Sequence, residues 1–157
     1  MNQSITKTNF LFKSFAILKI PMIFYCGAKI IEINKEKAVI KIPLNYRTRN
    51  HLKSMYFGSL AVGADITGAL IAFQIIQEKK LKIALVFKDL KGEFLKRVDK
   101  SAFFVCEDGL KISELINKAM NSGQREEEKV TVNVFTDYYK EPQLVSQFVL
   151  TMSVKKR

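Results

Sequence analysis

Residues 55–76 read MYFGSLAVGADITGALIAFQII, a run of 22 residues whose only charge is Asp65. Gly58, Ala61, Asp65, Gly68 and Ala72 recur at helical spacing and so line one face of a helix. Four of those five are small, so a neighbouring element must approach that face closely. The helix is apolar nearly all round and has to be enclosed. A lone carboxylate on it is poorly solvated. Asp65 is therefore either a functional acid or base, or a structural group satisfied by donors such as Thr67.

The flanking sequence supplies the enclosure. Before the run, residues 9–20 place Phe12, Phe15, Ala16 and Lys19 on one helical face, and Pro21 ends that helix. Residues 21–27 read as an apolar loop. Residues 28–33 and 38–42 read as strands joined by the polar turn Asn34-Lys35-Glu36-Lys37, which makes a hairpin. Residues 43–53 are irregular and basic, with Ser54 placed to cap the long helix. After it, Lys79 and Lys80 suit a helix C-terminus. Strands follow at residues 81–90, 93–98 and 102–107. Ile112, Leu115, Ile116, Ala119 and Met120 then give an amphipathic helix over residues 110–122, ending near Gly123. Residues 125–128 form a charged loop. Val130, Val132 and Val134 alternate as a half-buried strand, and residues 144–154 form the last one. The expected fold class is α+β: a long central helix wrapped by a curved antiparallel sheet of five to six strands, with a helical extension over residues 1–20 and a further helix in the C-terminal half.

The chain of 157 residues, 48% hydrophobic, fits a single domain over its whole length. Its two cysteines, Cys26 and Cys106, are isolated in apolar sequence, which argues against a disulfide framework or a zinc site and for buried thiols in the cytoplasm. No metal site is expected. The formal net charge is +11, with 26 basic residues of which only five are arginine. The lysines are scattered along the chain rather than clustered with aromatics, so the charge fits a solvated surface or an anionic small ligand better than nucleic acid. A membrane span over residues 55–76 is disfavoured because Asp65 near its centre costs about 2.5–3.5 kcal/mol. Lys19 interrupts the only candidate core of a secretory signal.

The segment NHLKSMYFGSLAVGAD, from Asn50 to Asp65, resembles the motif of hotdog-fold acyl-CoA thioesterases of the phenylacetyl-CoA type. That motif runs Asn, a short loop, His-Gly-Gly, then Leu and Ala-Asp on the central helix. Asn50, Gly58, Leu60, Ala64 and Asp65 match it, and Phe94-Leu95-Lys96-Arg97 resembles a later strand segment of that family. Tyr56 and Phe57 replace the family's His and first Gly. The stretch from Pro21 to Asp65 looks closer to a little-characterised hotdog branch of unassigned function. The resemblance implies hydrolysis of an acyl-CoA or carrier-bound thioester, with coenzyme A as part of the substrate and no separate cofactor. It implies a homodimer or a dimer of dimers in which Asp65 of one subunit faces the Phe57–Gly58 turn of the other.

On this reading Asp65 is the base or nucleophile, and backbone N–H groups at Tyr56, Phe57 and Gly58 stabilise the oxyanion. Asn50 either orients the water or braces the loop. Lys88, Lys91, Lys96 and Arg97 either bind the coenzyme phosphates or form a solvated strand face. His51, the only histidine, reads as a loop residue. The alternative to an enzyme is an acyl-ligand binder that kept the fold after losing the His-Gly-Gly turn. Neither nucleic acid nor membrane insertion is expected.

Overall fold

A computed structural model describes residues 3–157. Helix α1 (Gln3–Lys19) and a short helix α2 (Pro21–Tyr25) precede the hairpin β1 (Lys29–Ile33) and β2 (Ala38–Ile42). The central helix α3 (Phe57–Glu78) follows, then β3 (Ile83–Phe94), β4 (Ala102–Cys106), α4 (Gly109–Ser122), β5 (Arg125–Thr136) and β6 (Gln143–Lys156). The six strands form one sheet in the order β1-β2-β4-β5-β6-β3, with every pairing antiparallel.

The expected α+β architecture is present, with several local corrections. Residues 21–27 are not a loop: Pro21 opens α2 at its first turn, where the missing N–H costs nothing. Residues 93–98 are not a separate strand. β3 runs unbroken in pairing with β6 apart from a bulge between Phe87 and Leu90, and stops at Phe94. Residues 125–128 are not a loop but the start of β5, paired with residues 152–155 of β6. The charge of Glu127 is met across the sheet by Lys88, whose Nζ lies 2.8 Å away.

α3 lies against one face of the sheet. Leu60, Ala64, Ile66 and Ile71 join Phe104, Val132, Phe148 and Leu150 in one buried core. The closest approach is at Gly63, outside the stripe centred on Asp65. A methyl group there would collide with the ring of Phe104, a fully buried side chain on the interior strand β4. The stripe itself divides: Gly68 and Ala72 are buried, whereas Gly58, Ala61 and Asp65 are half-buried. α4 buries Ile112, Leu115, Ile116 and Ala119 and ends at Gly123, whose φ of 66° supplies the left-handed cap.

The two outer edges of the sheet differ. At β1, the side-chain amide of Asn9 on α1 takes the place of a neighbouring strand. Its Oδ1 accepts from the Ile30 N–H at 2.9 Å, and its Nδ2 donates to the Ile30 carbonyl at 2.8 Å. At β3 no further strand pairs with the outer edge among the described residues. Val86, Leu90 and Phe94 are exposed along it.

Candidate functional site

The segment between β2 and α3 folds back on itself before the helix begins. Thr48 Oγ1 donates to the Pro43 carbonyl at 2.7 Å, and the Asn50 N–H donates to the Ser54 carbonyl at 2.7 Å. Asn50 Oδ1 accepts from the N–H groups of Leu52 and Ser54 and from the Ser54 hydroxyl. Asn50 thus braces the loop with its carbonyl oxygen, while its Nδ2 has no partner among the described residues. Ser54 is buried in this brace and is not the helix cap. The capping position belongs to Tyr56, which makes no side-chain capping bond.

The expected trio of free helix donors is reduced to two. The Tyr56 N–H donates to the Thr48 carbonyl at 2.8 Å, and the Ser59 and Leu60 N–H groups reach back to the Tyr56 carbonyl. Among the described residues the N–H groups of Phe57 and Gly58 have no acceptor. They stand at the positive end of a 22-residue helix. The Tyr56 ring lies over this turn, where a methyl group on Gly58 would sit 2.5 Å from its Cε1. Phe57 packs against it with ring centroids 4.7 Å apart, yet is 61% exposed. A side chain at position 58 would therefore displace the half-exposed Tyr56 ring.

This turn borders an open cleft of about 610 Å³. Asn50, His51, Tyr56 and Phe57 form one side, and Phe94, Leu95, Lys96 and Arg97 the other. The second wall is fixed by the Val145 carbonyl, which accepts from the N–H groups of both Leu95 and Lys96 at 2.9 and 3.0 Å. The Val98 carbonyl accepts from the Met55 N–H at 2.7 Å and ties the two walls together. The walls are brought together across more than 40 positions of sequence by this bond. Lys96 and Arg97 have no ion-pair partner among the described residues.

Other residues singled out in the sequence lie elsewhere. Lys88 is paired with Glu127, and Lys91 stands 3.8 Å from Glu93 on the exposed β3. Asp65 lies two turns along α3, about 10–12 Å from the first-turn donors by helical rise. Thr67 does not hold it: the Thr67 hydroxyl donates to the Gly63 carbonyl at 2.6 Å. No hydrogen bond or ion pair reaches the Asp65 carboxylate among the described residues. Burial alone pushes its pKa above the ordinary carboxylate range. Cys26 and Cys106 are buried free thiols, the latter pushed up to about 11 chiefly by desolvation. Among the described residues no three His, Cys, Asp or Glu side chains form a group that could hold a metal ion. The helix α3 is long and apolar enough to cross a membrane, but it is the buried centre of this fold.

Neither a protein-family model nor a curated protein matches the sequence. In structure the chain is similar to a protein of unknown function from Chlorobaculum tepidum TLS, with a TM-score of 0.82 at 15% identity over 98% of this chain and 97% of that one. It is also similar to a thioesterase from Haemophilus influenzae, with a TM-score of 0.70 at 15% identity over 99% and 93% of the two chains. A thioesterase family protein from Silicibacter pomeroyi superposes with a TM-score of 0.67 at 14% identity over 94% and 96%. What the chain shares with these proteins over nearly its full length is the arrangement of sheet and central helix: it is a hotdog-fold protein.

Proposed function

We propose that this protein is a thioesterase that hydrolyses an acyl thioester of coenzyme A or of an acyl carrier. The observation that carries the reading is the cleft at the start of α3. Phe57 lines it with Asn50 and the unpaired cations Lys96 and Arg97, and the N–H groups of Phe57 and of its neighbour Gly58 are unpartnered among the described residues. Such donors suit the oxygen of a thioester carbonyl as it gains charge. The cations suit the phosphates of the carrier. Buried free thiols support a reducing, cytoplasmic setting.

The missing component is a base, and Asp65 of the same chain is too far along α3 to serve. Pairing of the open β3 edge with its counterpart in a second copy sets two α3 helices side by side and antiparallel. Asp65 of one subunit then faces the Phe57–Gly58 turn of the other. Its carboxylate takes a proton from water, and the water oxygen attacks the thioester carbon. The oxyanion accepts from the Phe57 and Gly58 N–H groups. The C–S bond then breaks, and the thiolate takes the proton held by Asp65, leaving free acid and free thiol. On this reading Asn50 Nδ2 orients the water or the acyl oxygen.

One observation favours a second reading, a non-catalytic binder of acyl ligands. The Tyr56 and Phe57 rings, in tilted contact, occupy the turn over which the thioester would lie. A panel of short, long and aryl acyl-CoA substrates, read by release of free thiol, separates the two. Turnover on any member supports the enzyme. Ligand binding without thiol release across the panel rejects it in favour of the binder.

A further inference from the structure

Helix α1 carries apolar side chains on two opposite faces. Phe12 and Ala16 are buried against the body of the fold, and Phe15 packs on Phe73 with ring centroids 5.9 Å apart. On the far side Phe10, Leu11, Ile17 and Leu18 repeat at two-turn spacing, with Phe10 70% and Leu18 77% exposed. The short helix α2 continues this surface with exposed Met22, Phe24 and Tyr25. A run of this size is not an ordinary scatter of surface residues.

The charge carried by α1, α2 and the start of β1 has one sign, with Glu78 of α3 bordering the inner side of the patch beside Leu11. No Asp or Glu precedes Glu32 in the sequence, whereas Lys7, Lys13, Lys19 and Lys29 all do. Lys13 and Lys19 are exposed and have no ion-pair partner among the described residues. At the far end Arg47 lies over the rings of Tyr25 and Tyr46, at 5.7 and 5.4 Å, and donates from Nε to the Tyr46 hydroxyl at 2.9 Å. Apolar side chains in the centre with lysine, arginine and tyrosine at the margin match the layered chemistry of a bilayer surface, acyl chains beneath anionic headgroups.

We infer that the outer face of α1 and α2 docks the protein on anionic lipid bilayers, lying in the interface plane without any segment crossing. The inference does not depend on the thioesterase reading, because none of these side chains lines the cleft at the start of α3. A second copy of the chain is the competing occupant. It is disfavoured because it would set like charges against like around the patch.

The test is flotation of the full chain with phosphatidylcholine vesicles prepared with and without phosphatidylglycerol. The protein is expected to float with the anionic vesicles at least ~10-fold more strongly than with the neutral ones, and added salt should weaken this. The double variant Phe10→Glu, Leu18→Glu should lose flotation while keeping the wild-type melting temperature, since neither side chain packs in the core. Lys13→Gln with Lys19→Gln should lower binding to the anionic vesicles without creating a repulsive charge. Failure of the wild-type chain to float with either vesicle overturns the inference. Equal binding to both vesicles overturns it as well, since the basic margin would then do nothing. If the glutamate variant instead reduces the molar mass seen by light scattering while wild type does not float, the face is a contact between copies.

Discussion

Gly63→Ala measures how firmly α3 is seated on the sheet. A methyl group at position 63 would lie 2.5 Å from Cε2 of Phe104 and closer still to Cζ and Cε1. Carbon atoms in contact sit about 3.5–4.0 Å apart, so ring and helix must separate by ~1 Å. Phe104 cannot turn away, because it is fully buried on β4 between β2 and β5. Overpacking of this kind costs about 1–3 kcal/mol. Alanine returns about 1 kcal/mol of helix propensity. The net expectation is a loss of ~0–2 kcal/mol, read as a fall in melting temperature of at most roughly 8 °C. Thermal unfolding followed by circular dichroism gives the number. Phe104→Leu in the Gly63→Ala background should recover part of it, and a double-mutant cycle should show coupling. A Gly63→Ala protein as stable as wild type, with no coupling to position 104, would refute the seating of the helix on this ring.

Asp65→Asn should lower kcat on a thioester substrate by at least ~10²-fold and leave the protein folded; wild-type turnover in a folded variant rejects the catalytic role. The same change should stabilise the fold at neutral pH. Burial holds the Asp65 pKa above its unfolded value, so ionisation costs stability as pH rises from the unfolded pKa through the folded one, and the gap between variant and wild type should close below that window. Melting temperature against pH for both proteins checks the sign. Lys96→Gln with Arg97→Gln should raise KM for coenzyme A thioesters more than for a short N-acetylcysteamine thioester, which lacks the phosphates; equal effects on both substrates dismiss phosphate binding. Leu90→Asp on the open edge of β3 should yield monomers by sedimentation at micromolar concentration and abolish turnover, whereas an active monomer removes the shared site.

The central helix was legible because 22 residues with one charge leave few alternatives. Its packing face was less so. Helical spacing picked out the stripe through Asp65 as the line of close approach, but spacing cannot tell which small residue will meet a large one. That depended on Phe104, 41 positions further along the chain. β5 was mistaken at its start because Arg125 to Glu128 are all charged; such residues still form strand where a neighbour such as β6 supplies backbone partners and Lys88 supplies charge. Pro21 both stops α1 and starts α2, since proline at a first helical turn loses no bond. At the candidate site, Asn50, Phe57, Lys96 and Arg97 came together in one cleft. Lys88 and Lys91 did not, because strand pairing carried them onto an exposed surface with acidic neighbours. The engagement of the Tyr56 N–H by Thr48 had no signal in the sequence.

The Asn9 amide sets a limit on growth. A β-sheet with two bare margins can accept a strand at each, and copies joined margin to margin have no last member, which is the geometry of a fibre. In this protein the Ile30 N–H and carbonyl at the β1 margin are already occupied by one side chain from within the chain. An incoming strand would find the backbone of Ile30 already engaged at this margin, whereas the β3 margin is open among the described residues. One asparagine on the first helix thereby guards the β1 margin at Ile30 as well as docking the helix.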